Sequence, residues 1–125
     1  MRDRASERAC LALAVVGGAV VGLVDLVATE VWPAFLGMLL FGVGLGFLRP
    51  RLVCVWAAII GFSVPLAHLL AGVVGFRPPY VVVPNRWATL LALIPAVVAT
   101  LLGVAANWVA SRFSSLRGSA THELE

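Results

Sequence analysis

Apolar residues run almost without interruption through four stretches of the chain, 10–29, 31–48, 52–74 and 87–109, and most charged positions fall between or beyond them. A helix needs roughly 17–25 mostly apolar residues to cross a bilayer, so each stretch is long enough for one crossing. The pattern predicts an all-α membrane protein, a four-transmembrane-helix bundle. It divides the chain into a cytoplasmic N-terminal arm at 1–9, a transmembrane domain at 10–110 and a flexible cytoplasmic tail at 111–125. Arg2, Arg4 and Arg8 ahead of the first apolar run have the look of a secretory signal peptide. That run is too long for one, and three further spans follow it, which favours a retained helix.

The connections set the handedness of the membrane crossing. Glu30 and the Trp32-Pro33 pair separate the first two spans, with Pro33 near the start of a new helix, where its fixed φ is at home. Arg49-Pro50-Arg51 makes an equally short second turn, so the first three spans should alternate in direction. The third connection, 75–86, carries Pro78, Pro79 and Pro84, which disfavour helix and predict a stiff external cap. Cytoplasmic segments retain positive charge. Arg2, Arg4, Arg8, Arg49, Arg51, Arg112 and Arg117 lie on one side, against Arg77 and Arg86 on the other, which predicts both termini inside. Tyr80, Trp32 and Trp87 then suit an outer aromatic belt and Trp108 an inner one.

Composition narrows the class. The chain has 125 residues, of which 62% are hydrophobic and only 12% charged, with a mean hydropathy of +1.04. A soluble domain carries about a quarter of its residues as Asp, Glu, Lys and Arg, so a soluble enzyme, a disordered tail and a nucleic-acid binder are all excluded. The net charge of +3 comes with no basic run, and the nine basic residues are all Arg, placed where topology needs them. A multi-pass protein of a bacterial inner membrane is the expected location.

Helix faces hold more information than the composition does. In lipid, helices associate by close packing, and small residues three or four apart mark the contact faces. Gly18 and Gly22 continue a face from Cys10 and Ala14; Gly42 and Gly46 follow Ala34 and Met38. Gly61 lies with Cys54, Ala58, Pro65, His68 and Gly72, and Gly103 with Ala92, Ala96, Ala99, Ala106 and Ala110. These stripes predict a compact bundle that also associates with further copies or with a membrane-protein partner.

Two ionisable residues lie on those faces. Asp25 is fifteen residues beyond Cys10 and His68 fourteen beyond Cys54, which at about 1.5 Å per residue places both about 20 Å further out on helices running the same way. An ionisable group in the bilayer is costly unless paired or wetted. Asp25 and His68 are therefore candidates for one another, either as a structural hydrogen bond or as a proton-responsive or cation-binding site with Glu30 at its outer entrance. Pairing of Asp25 or Glu30 with Arg77 or Arg86 is the competing arrangement. Pro65 and Pro95 are expected to kink spans three and four by freeing the carbonyls of Gly61 and Leu91.

No nucleophile elbow, zinc-protease signature, phosphate loop or paired cytoplasmic carboxylates occur in the sequence, and no catalytic residue, cofactor or metal site is assigned. Two ligand-type residues inside the spans are fewer than a metal normally takes. The leading expectation is an interaction or accessory subunit, and the alternative is a minimal oligomeric transporter or channel for a proton or small cation built on Asp25 and His68.

Overall fold

The computed structural model describes residues 2–77 and 88–122, with side chains over 5–77 and 89–114. Helix α1 spans Arg2–Val27, α2 Trp32–Leu48, α3 Val53–Val74 and α4 Leu93–His122. Single 3-10 turns at Pro50–Leu52 and Ala88–Ala92 lead into α3 and α4. No strand occurs among the described residues. The stretches Ala5–Val27, Pro50–Val74 and Thr89–Ser114 are each long and apolar enough to cross a membrane. The fourth, α2, is apolar throughout but has 17 residues, about 25 Å of rise, at the short limit for a hydrocarbon core of about 30 Å.

Residue registers give the directions. Asp25 meets His68, and Gly18 and Gly22 meet Ser63 and Ala67, so α1 and α3 run parallel. Gly42 meets Ala99 and Phe47 meets Asn107, so α2 and α4 also run parallel. Gly17 packs on Phe41 and Gly37 on Val21, the falling register of an antiparallel pair. Helices α2 and α3 touch each other and both outer helices, whereas α1 and α4 do not meet among the described residues. The cross-section is thus a rhombus with α2 and α3 on its short diagonal. Ala14, Val21, Ala34, Met38, Leu45, Trp56, Ile60, Val64 and Ala96 fill it. Large aliphatic side chains such as Leu23, Leu40, Leu69 and Leu101 face outward, as lipid allows and water would not.

The C-terminal ends of α2 and α3 are closed by backbone donors of the following turns and, for α2, by a side chain of α4. The last carbonyls of a helix lack intrahelical donors. Asn107 donates through Nδ2 to the carbonyl of Phe47 at 2.8 Å, and the Arg49 N–H donates to Leu45 at 2.9 Å. Beyond that turn, the Trp56 indole N–H donates to the carbonyl of Arg49 at 3.2 Å. At the far end of α3, Gly75 adopts a left-handed φ of 74°, and the Phe76 N–H returns to Ala71 at 2.9 Å. A residue with a Cβ would be strained there.

Several boundaries differ from the sequence expectation. The helix of the N-terminal arm is continuous with the first span, since α1 begins at Arg2. Likewise α4 runs on to His122, so 110 is not a helix end. Pro95 is not an interior kink. It is the third residue of α4, where the missing N–H is one of the four that lack a partner in any helix, and the preceding turn is 3-10 rather than α. Pro65 does lie inside α3, buried in the bundle. On the same helix Cys54 and Gly72 are exposed, so the small-residue stripe of the third span is a contact face only in its middle.

Candidate functional site

The seams formed by the glycines position everything else. An ideal Cβ placed on Gly18 would stand 3.3 Å from the Ser63 Cβ, and one on Gly22 would stand 2.9 Å from both the Ala67 Cβ and the Ser63 carbonyl oxygen. The equivalent atom on Gly42 would lie 2.7 Å from the Ala99 Cβ, and on Gly61 2.7 Å from a Leu93 methyl group. Gly46 would collide with the carbonyl of Thr100, and Gly103 with that of Val43. Backbones approach here as closely as absent side chains permit, the expected means of helix association in lipid. All six glycines are buried within the one chain.

Polar side chains in these seams are bonded locally. Buried Thr100 donates to the carbonyls of Ala96 and Val97 at 3.0 and 2.9 Å, and Ser63 donates to Ile60 at 2.6 Å. Each therefore satisfies its hydroxyl within its own helix.

Asp25 and His68 come together across the α1–α3 seam, about one turn beyond Gly22 on α1 and next to Ala67 on α3. The His68 ring Nε2 lies 2.9 Å from Asp25 Oδ2. Against an ionised carboxylate, which can only accept, the ring nitrogen is the donor. Asp25 sits in the last turn of α1, where the aligned peptide dipoles disfavour negative charge. A partner that brings a proton or positive charge offsets both that field and the loss of solvent. About a quarter of each side chain remains exposed, 24% for His68 and 23% for Asp25. The second carboxylate oxygen and His68 Nδ1 have no bonded partner among the described residues.

The other expected participants stand apart. Glu30 is exposed in the bend between α1 and α2, and Arg77 is exposed just beyond α3. His68–Asp25 is the one ion pair among the described residues, so Arg77 does not neutralise either carboxylate. Arg86 lies outside the described residues, as do Tyr80, Trp87 and the prolines of the third connection. Among the described residues no group of three or more His, Cys, Asp and Glu could hold a metal. The two cysteines are free, Cys10 half-buried and Cys54 exposed.

Sequence reasoning missed two polar contacts that organise the opposite end. The partner of Asn107 has no sequence signal, because its acceptor is a backbone carbonyl sixty positions away. The hydrogen bond from Arg49 Nη2 to Ser6 Oγ, 2.7 Å long, joins the arm to the second turn. Neither contact has a periodic signature. No known protein family matches the chain, and no curated protein or solved structure matches it either.

Proposed function

We propose that this chain is a multi-pass integral membrane protein of a bacterial inner membrane, with all four helices crossing the bilayer and both termini cytoplasmic, and that it serves as an interaction or accessory subunit. The observation that carries the accessory reading is how its interior polar groups are used. Among the described residues no buried side-chain nitrogen or oxygen lacks a hydrogen-bond partner, and the core is apolar apart from Thr100. A path for protons or cations needs ionisable or hydrophilic groups lining much of the span. Here the carboxylate and imidazole groups of the interior are confined to one pair near one end, and the Ser63 and Thr100 hydroxyls are bonded to their own helices. The six packing glycines hold the chain's own helices, so a partner or a second copy meets the aliphatic outer surface instead.

A second reading, a minimal oligomeric proton or cation transporter, is favoured by one observation: Asp25 and His68 are paired yet each about a quarter open. One set of measurements separates the two. Native mass spectrometry in mild detergent reports bound copies or partners, and proteoliposomes loaded with a pH dye report flux. The accessory reading expects a stable complex and no pH-dependent flux. A flux abolished by Asp25→Asn in a protein that still folds replaces it with the transport reading, and a strictly monomeric chain that co-purifies with no protein overturns it.

A further inference from the structure

The α1–α3 seam ends in a polar contact on either side. The Arg49 guanidinium donates to Ser6 Oγ at 2.7 Å and His68 meets Asp25 at 2.9 Å, and both contacts join residues 43 apart, so one register holds along the seam. The first helix places 16 apolar residues, Ala9 to Val24, between Arg8 and Asp25. The third places 16 residues, Leu52 to Ala67, between Arg51 and His68, and Ser63 among them is bonded to its own helix. At about 1.5 Å per residue each stretch is about 24 Å long. Helix α2, with 17 residues between the Glu30 bend and Arg49, rises about 25 Å. Three neighbouring helices therefore agree on an apolar height about 5 Å below the usual hydrocarbon core of about 30 Å.

That height is not the same around the bundle. Beyond His68, α3 continues with exposed Leu69, Leu70, Val73 and Val74, whereas α1 ends at Val27 and the chain bends at exposed Glu30. Hydrocarbon that reached Val74 all round would also surround Asp25, Glu30 and His68, and ionisable groups there are costly. Arginine relieves such a mismatch by reaching outwards along its long stem. Asp25 is short and His68 is bound to it, so neither can. A bilayer meets an apolar stretch that is too short by thinning beside it.

We propose that the corner of the bundle built by α1 and its bend into α2 holds a thinned leaflet of phospholipids with shorter acyl chains, whose headgroups meet the open side of the Asp25–His68 pair. This rests on the reading that all four helices cross the bilayer, and it names what covers the α1 corner. The slant places the thin side at α1 and the ordinary thickness along the far part of α3. Headgroups and interfacial water then supply partners for the second Asp25 oxygen and for His68 Nδ1, and the pair needs neither a third ligand nor a path through the bundle.

The test reconstitutes the full chain in phosphatidylcholine bilayers with palmitoleoyl, oleoyl or erucoyl chains, and reads relative lipid binding from the quenching of tryptophan fluorescence by a brominated competitor. Wild type should bind the palmitoleoyl lipid several-fold more tightly than the erucoyl lipid. D25L/H68L carries the apolar stretch as far as Glu30 in the first helix and Phe76 in the third, so its optimum should move to longer chains. D25N/H68Q keeps a polar level without the ionisable groups and should keep the wild-type order. Helicity by circular dichroism checks folding; if D25L/H68L does not fold, Asp25→Leu alone should move the optimum in the same direction. Equal binding of the three lipids, a wild-type optimum at erucoyl chains, or an optimum that the Leu variants leave in place overturns the proposal. So does dimerisation that rises with chain length without a lipid preference, since a second copy would then cover the corner. Glu30→Cys and Arg51→Cys, each in a chain carrying Cys10→Ser and Cys54→Ser, should label from opposite faces. Labelling from one face overturns the underlying four-span reading, whereas opposite labelling without a chain-length preference overturns the thinned leaflet alone.

Discussion

Two parallel helix pairs, α1 with α3 and α2 with α4, solve the same packing problem with different endings. Along α2 and α4 the small residues alternate from both sides, Gly42 and Gly46 against Ala99 and Gly103, until backbone meets backbone. That seam ends in a neutral contact, the amide of Asn107 on the carbonyl of Phe47. Along α1 and α3 the glycines come from α1 alone, and Ser63 and Ala67 supply the opposing surface. That seam ends in an ionisable pair. Dispersion depends steeply on distance, so the first seam is the stiffer of the two. The second closes at its far end on a single ionisable hydrogen-bonded pair. Backbone-to-backbone packing and an ionisable side-chain contact are thus placed at opposite ends of one small bundle.

The sharpest way to break that comparison is to fill the closer seam. Gly103→Leu and Gly46→Leu each drive a side chain into a neighbouring backbone, which cannot yield as a flexible side chain can. Each should cost at the upper end of roughly 1–3 kcal/mol, or prevent folding. Gly18→Leu meets the Ser63 Cβ at 3.3 Å, tight but without the overlap with backbone at Gly46 and Gly103, and should cost less. Gly44→Leu has nothing within 4 Å of its new Cβ and should cost little. Thermal unfolding in detergent orders the four. If Gly44→Leu falls with the other three, the α2–α4 seam is not where the helices meet.

A smaller effect is expected at the ionisable end. In a double-mutant cycle with Asp25→Asn and His68→Gln, the coupling should be about 0.6–1.7 kcal/mol, the range of interhelical hydrogen bonds in membranes. Asp25→Asn alone should destabilise, and adding His68→Gln should restore part of the loss. Near-zero coupling means that the side chains do not share a bond.

The sequence made this pair legible because both residues sit on helical small-residue faces at matching depth, quantities that follow from rise per residue alone. The six packing glycines were legible for the same reason. What periodicity could not supply was which faces remain open, since that depends on the order of helices around the bundle. The small-residue stripes mark neither Ile60 nor Val15, yet Ile60 is fully buried and Val15 is 55% exposed. α3 lies on the short diagonal and is covered on several sides by α1, α2 and α4, so a wider arc of it is buried than its small residues mark. Pro95 misled for a local reason: proline is costly inside a helix and harmless in its first turn, and the residues around it do not say which applies until the helix start is known.

The smallest effect belongs to the neutral ending of the α2–α4 seam. Asn107→Leu roughly keeps the size of the side chain and removes the donor to the Phe47 carbonyl. That carbonyl belongs to the last turn of α2, which has no further intrahelical donor for it, and the site is partly open, so water or headgroup contacts replace some of the lost bond. The cost should be about 0.5 kcal/mol, near the low end for a single hydrogen bond. The effect should be independent of pH between 5 and 8, because no titratable group takes part in the contact. Unfolding curves for Asn107→Leu recorded at both ends of that interval check this. A pH-dependent loss at Asn107 would show that the two ends of the bundle are coupled through α2 and α3, and that the two seams are not independent.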